Sequence, residues 1–394
     1  MTALSVLDLD DAASLEAADS LGTLRSAALG GAHVRAVAEG VREDALGRLA
    51  GVRPRALLLV TGPGRARRAA GMLVAALGAH AGLPIVHVTT TPTWVGPLDV
   101  VLISGDDAGD PRLVESVAIA VRRGAEVVVA APDEGPLRAA GAGRVIALPP
   151  RIRTTGRGGI DPGALLRYLA AGLAVATVVD ATRSVWTAEE LDRLADAVDA
   201  EAMRDHPVHE VFDNPAKSLA ARLRNRRVVL AGDGPATVEL AAHGAEVLLR
   251  AVGTVAAAAD LADVLAGASM LASAKPPGAD FDPFFHDEQI DGPAPQEGVR
   301  VFVLGMTADR NAIARRLRVL EDAEVVTVGE GEDRTPAAAP PAAASSDVEQ
   351  LAMLALRLEM AAAYLGLLRG PGVGAASAPP PALVPPSPTE GEPV

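Results

Sequence analysis

Two glycine-bearing turns carry the first chemistry in this sequence. Gly62-Pro63-Gly64 follows the apolar run 56–60 and opens an Ala/Arg helical pattern. Gly232-Asp233-Gly234-Pro235 follows the run 228–231 and opens another. A strand that ends in Gly-x-Gly at a helix start leaves bare backbone N–H groups at a helix N-terminus, where an anion or a sugar phosphate can sit. A third stretch, Ser104-Gly105-Asp106-Asp107-Ala108-Gly109-Asp110, adds one hydroxyl, two glycines and three carboxylates. Such carboxylates are either hard oxygen ligands suited to Mg²⁺ or the caps of a solvated acidic loop. His206 and His209 have the types of a metal pair, but they precede a helix rather than share a face of one, and they read as polar loop. No metal site and no cofactor is expected.

The elements that must position these turns follow from periodicity. Apolar runs at 56–60, 85–88, 100–103, 127–131 and 145–148 alternate with helical stretches such as 65–79 and 112–123. Short β-rich runs separated by helical patterns imply βαβ units and a parallel sheet. A second, weaker series has strands expected at 227–231, 252–256, 270–273, 301–304 and 324–327. The organisation expected is a helical segment 1–53, a first α/β domain 54–182, connecting helices 183–226 and a second α/β domain 227–329. A Pro/Ala/Glu-rich linker 330–346, a Leu/Met/Ala helix 347–370 and a Pro-rich disordered tail 371–394 follow. Thr187-x-x-Glu190 reads as a capping box, and Pro215 as an early helical position.

Composition closes off several classes. The 394 residues are 49 % apolar but only 2 % aromatic, so the interior must be Ala, Val and Leu. The net charge is −14 with no basic cluster, which argues against a nucleic-acid partner, since phosphate-backbone binding needs positive charge. There is no cysteine, hence no disulfide or thiolate chemistry. The acidic start lacks a signal-peptide pattern, and the apolar stretch 168–179 is too short to cross a bilayer, so no membrane association and a cytoplasmic location are expected.

The order of elements resembles the sugar-isomerase (SIS) fold, two flavodoxin-like halves in tandem. It is similar to the bifunctional phosphoglucose/phosphomannose isomerases and their actinobacterial TobH relatives. The residues that carry the likeness are Asp213-Asn214-Pro215-Ala216-Lys217 between the halves and Ala363-Tyr364-Leu365-Gly366-Leu367 in the last helix. The resemblance implies an α/β protein of two parallel sheets flanked by helices plus a C-terminal helix, and a homodimer. It also implies a hexose 6-phosphate ligand and proton transfer between C1 and C2 through a cis-enediol.

Carried over residue by residue, the implied site is uneven. The phosphate cradle maps to Gly62, Gly64, Ser104, Gly105, Asp106 and Gly109, with acid, Ala108 and Pro111 where the family has hydroxyls. The family's Gly-x-Gly-Gly-Ser turn reads Gly62-Pro63-Gly64-Arg65-Ala66 here, so its serine is lost; Arg65 could supply charge in its stead, or be a surface arginine. Arg151 and Arg153 match the sugar-binding Pro-Arg context. The family's catalytic Glu falls on Ala251, and its ring-opening His has no counterpart near Asp260. A slip in register would bring in Glu246 or His243, both of which also suit a helix surface. Two readings stay open: an aldose–ketose isomerase with a remodelled site, and a non-catalytic relative that binds a sugar phosphate, a sugar nucleotide or a protein partner in hexose metabolism. Trp94 is expected at the end of the first domain's second strand, a ligand position in such folds.

Overall fold

A computed structural model describes residues 7–152, 161–180, 183–273, 298–329 and 346–369. Three helices lead in: α1 (Ala12–Ala18), α2 (Thr23–Ala28) and α3 (Gly30–Arg42). The first sheet comprises β1 (Ala56–Thr61), β2 (Ile85–Val88), β3 (Asp99–Ser104), β4 (Glu126–Ala130) and β5 (Ile146–Ala147). They are parallel and ordered β2-β1-β3-β4-β5. Between them run α4 (Arg65–Leu77), α5 (Pro111–Arg122) and α6 (Gly135–Gly141), and α7 (Ala164–Val179) closes the half.

Helices α8 (Ala188–Arg204) and α9 (Pro215–Leu223) lead to a second parallel sheet ordered β7-β6-β8-β9. Its strands are β6 (Arg227–Gly232), β7 (Ala256–Asp260), β8 (Val299–Leu304) and β9 (Ala323–Val326). Helices α10 (Pro235–Val252), α11 (Leu261–Ala266), α12 (Ala268–Ser273) and α13 (Arg310–Arg316) serve this sheet, and α14 (Asp347–Leu368) ends the described chain.

Alternation along the strands decides the layering. Leu57 and Leu59 of β1 and Val228 and Leu230 of β6 face one shared core, together with α4, α7, α10 and α14. Leu58 and Val60 face a separate cluster with Leu113, Val117 and Leu137 of α5 and α6. Val301 and Val303 of β8 face a third cluster with Ile313 and Leu261. The two sheets therefore sandwich a common helical layer. Helices α7 and α14 sit inside it and are buried nearly all round, which is why they carry almost no polar face. Helix α14 is long and apolar enough to cross a membrane by composition, but 83 % of its apolar window is buried within the protein. Gly172 lets α7 approach α4: a Cβ there would meet Leu73 Cδ1 at 2.1 Å.

Two strand expectations are corrected. The expected strand 252–256 lies four residues late, at β7, because α10 continues to Val252 and Gly253 ends it at φ 62°. The expected strand 270–273 is part of α12. A short apolar run has no periodicity that separates strand from buried helix. The linker residues 330–345 and the tail from 370 onward lie outside the described residues.

Candidate functional site

In parallel sheets of this order, ligands bind outside the carboxyl ends of the strands, where the order reverses between β1 and β3. Thr61 and Ser104 are register partners there, and the Gly62 N–H donates to the Ser104 carbonyl at 2.9 Å. The predicted cradle residues Gly62, Ser104 and Gly105 are therefore brought together. A Cβ on Gly62 would stand 3.7 Å from the Gly105 Cα and 3.8 Å from a carboxylate oxygen of Asp110. Gly64 adopts φ 75°, open to glycine and strained for other residues, and the Arg250 guanidinium lies over it.

The acidic loop occupies its own donors. Asp107 accepts from the Gly109 N–H at 2.7 Å. Asp110 caps α5 by accepting from the Arg112 N–H at 2.9 Å. These are the backbone groups that a phosphate would seek, and carboxylates already satisfy them. Asp106 accepts from the Tyr168 hydroxyl and has the Arg167 guanidinium at 3.4 Å. Arg167 and Tyr168 are buried on α7, and burial, then the Asp106 charge, pushes the Tyr168 phenol well above its ordinary range, so it stays a donor. No group of three or more His, Asp or Glu among the described residues could hold a metal ion.

Arg65 points elsewhere. It is buried, and its Nε and Nη2 donate to Glu359 of α14 at 2.8 and 2.9 Å. His243 of α10 approaches the same carboxylate, Nε2 to Oε1 at 3.4 Å. Burial, reinforced by Arg65, Arg250 and Arg68, drives the His243 imidazole well below its ordinary range, so it is neutral and enclosed. Glu246 accepts from Arg68 at 2.6 Å and from Arg67 at 3.2 Å, and Arg68 also reaches Glu239 at 2.9 Å. Both weak catalytic candidates thus belong to an ionic seam where α4 of one half packs on α10 of the other. Arg151 pairs with Glu43 at the end of α3, and Arg153 lies outside the described residues.

Trp94 is not at the ligand end. The chain after β2 runs back to the start of β3, and Trp94 packs over Arg55, 5.6 Å from ring centroid to guanidinium carbon. Arg55 in turn grips buried Asp99 at 2.8 and 3.1 Å.

The motif between the halves is structural. Asn214 caps α9 by accepting from the Lys217 N–H at 2.8 Å, and the Lys217 ammonium donates to the Pro207 and His209 carbonyls at 2.7 Å each. The Tyr364 hydroxyl donates to the Asp205 carbonyl at 2.6 Å. The two resembling segments, far apart in sequence, therefore meet at one buried point. His209 uses only its carbonyl in this network, and the His206 ring caps the Val208 N–H.

Three solved structures share this architecture. A protein described as a phosphosugar isomerase from Clostridium difficile 630 aligns with TM-score 0.59 at 12 % identity, over 89 % of this chain and 94 % of that one. One of the same description from Silicibacter pomeroyi DSS-3 gives 0.57 at 15 %, over 87 % and 96 %. The tagatose-6-phosphate ketose/aldose isomerase of Escherichia coli gives 0.55 at 13 %, over 89 % and 91 %. The fold is that of the phosphosugar isomerases. No protein-family model and no curated protein matches the sequence. The SIS-type reading of the element order is thus met over nearly the whole chain, at identities that speak for fold alone.

One residue near this site escaped the sequence reading. His87 of β2 sits in a run that reads as plain strand, yet its Nε2 lies 2.9 Å from the Thr61 hydroxyl, one residue before the Gly62 turn. With Val88, Thr89, Thr90 and Pro92 it lines an open cleft of about 490 Å³. The signal available was its position two residues before a Thr-Thr-Thr-Pro run, where strand yields to loop at the carboxyl end.

Proposed function

We propose that this chain is a phosphosugar-isomerase-like protein of hexose phosphate metabolism, similar to the glucose-6-phosphate/mannose-6-phosphate isomerases, that binds a carbohydrate derivative and whose isomerase site is degenerate. The observation that carries the reading is the meeting of Gly62, Ser104 and Gly105 at the β1/β3 reversal of a phosphosugar-isomerase fold. In this reading the ligand lies across that crevice, and a homodimer completes its walls, as the sugar-isomerase resemblance implies.

The chemistry of the site argues for binding over turnover. Asp107 and Asp110 stand where phosphate oxygens would, and a carboxylate about 4 Å from a phosphate charge costs on the order of 4 kcal/mol at an effective dielectric near 20. Glu246 is held by Arg67, Arg68 and Arg250, and His243 is enclosed, so neither is free to move a proton at C1 or C2. This favours the second reading, a sugar-binding or regulatory relative that acts through a protein partner. A coupled assay of glucose 6-phosphate to fructose 6-phosphate conversion decides between them. Turnover above the uncatalysed rate, abolished by a substitution in the cleft, restores the isomerase. Binding without turnover supports the non-catalytic reading.

A further inference from the structure

The cleft beside His87 belongs to none of the elements that the resemblance carries over. It opens at the carboxyl end of β2, flanking the Gly62 turn, and its polar lining is the His87 ring with the exposed Thr89 and Thr90. Its volume, about 490 Å³, falls within the roughly 300–1,000 Å³ of small-molecule sites. Thr61 is buried on β1 and holds the ring through Nε2; among the described residues it is the imidazole's one hydrogen-bonding partner.

We propose that His87, oriented by Thr61, forms with the Thr89 and Thr90 hydroxyls a subsite for the hydroxyls of a sugar ring, beside the Gly62 turn. This rests on the carbohydrate-binding reading above and adds where the sugar lies. The choice of a polyol over a bare anion follows from the groups around the ring. Arg68 pairs with Glu239 and Glu246, and Arg67 and Arg250 share Glu246, so the arginines beside the cleft are engaged by carboxylates while the cleft itself is lined by a ring and hydroxyls. The two hydroxyls donate and accept, as sugar hydroxyls do, and the ring nitrogen that Thr61 leaves on the neutral imidazole, Nδ1, supplies one further donor or acceptor. Half-burial lowers the His87 imidazole below its ordinary range, against Glu239 and with Arg67 and Arg68, which keeps the ring in that neutral form. Thr61 is a positioning residue: its hydroxyl fixes which ring nitrogen is left for the ligand.

The test uses the full chain with glucose 6-phosphate and mannose 6-phosphate, binding read by calorimetry and the imidazole by nitrogen-15 NMR of the histidines. The His87 signals are those absent from His87→Gln. The proposal expects His87→Ala to weaken binding at least tenfold, with an unchanged melting temperature, and the His87 signals to move on addition of sugar phosphate. Equal binding by wild type and His87→Ala, with unmoved His87 signals, overturns the subsite and leaves the carbohydrate reading intact. A wild-type chain that binds neither sugar phosphate overturns both. If His87→Ala fails to fold, the ring signals of the wild type decide alone.

Discussion

Glu359→Ala tests the claim that Arg65 belongs to the core rather than to a ligand. The Arg65 and Glu359 side chains are only 6 % and 8 % exposed, and two hydrogen bonds at 2.8 and 2.9 Å join them. The pair ties α4 of the first half to α14. Removing the carboxylate leaves a buried guanidinium without its partner, which costs about 3–5 kcal/mol. A chain of this length shifts its melting point by about 1.2 °C per kcal/mol, so a fall of about 4–6 °C is expected. The double variant Arg65→Met with Glu359→Leu removes both charges and refills the space. Exchange of a buried pair for apolar side chains is often neutral, so most of the loss should return. Urea and thermal unfolding of the four proteins of the cycle supply the numbers. A cost below about 1 kcal/mol for Glu359→Ala, or a double variant no better than the single, refutes the reasoning. The double variant should also keep its ligand affinity, since Arg65 is committed to α14.

Asp205 gives a pH-dependent signature. Burial, and then the neighbouring Glu201 charge, raises its carboxyl from 3.8 to about 8. The folded state therefore holds a proton that the unfolded chain releases near pH 4, and stability declines as pH rises from about 4 to about 8. Asp205→Asn keeps an acceptor for the Ala216 N–H and should flatten that decline, seen as melting temperature against pH. Asn214→Ala removes the α9 cap and should cost about 1–2 kcal/mol in denaturant titration. Asp110→Ser keeps a capping oxygen and removes a negative charge, so hexose 6-phosphate binding measured by calorimetry should strengthen at least tenfold. An unchanged affinity would place the phosphate away from the α5 N-terminus.

Much of the fold was legible because local signals and tertiary need agree. Strands β1 to β4 are Val/Leu/Ile runs bounded by Gly, Pro or Asp, and β2 at Ile85–Val88 was read to the residue. Strand β7 was misplaced because Ala256-Ala257-Ala258-Ala259 has no β-branched residue to mark it. The site was less legible, since its partners are set by packing rather than spacing. Nothing near Arg65 announces Glu359, 294 residues on. Nor does Asp106 announce Arg167 and Tyr168, which sit on a helix that is otherwise nearly all apolar. His87 was passed over because one imidazole in an apolar run looks like core until β1 places Thr61 beside it.

The most direct test of the central claim is a thermal-shift series on the full chain with glucose, fructose, mannose and glucosamine 6-phosphates, with and without Mg²⁺. A ligand at a hundred times its Kd stabilises a fold by about 2.7 kcal/mol, which such a scan resolves. A rise in melting temperature with at least one of the four is expected. No rise with any of them, at millimolar concentration, would contradict a carbohydrate-derivative site in this chain.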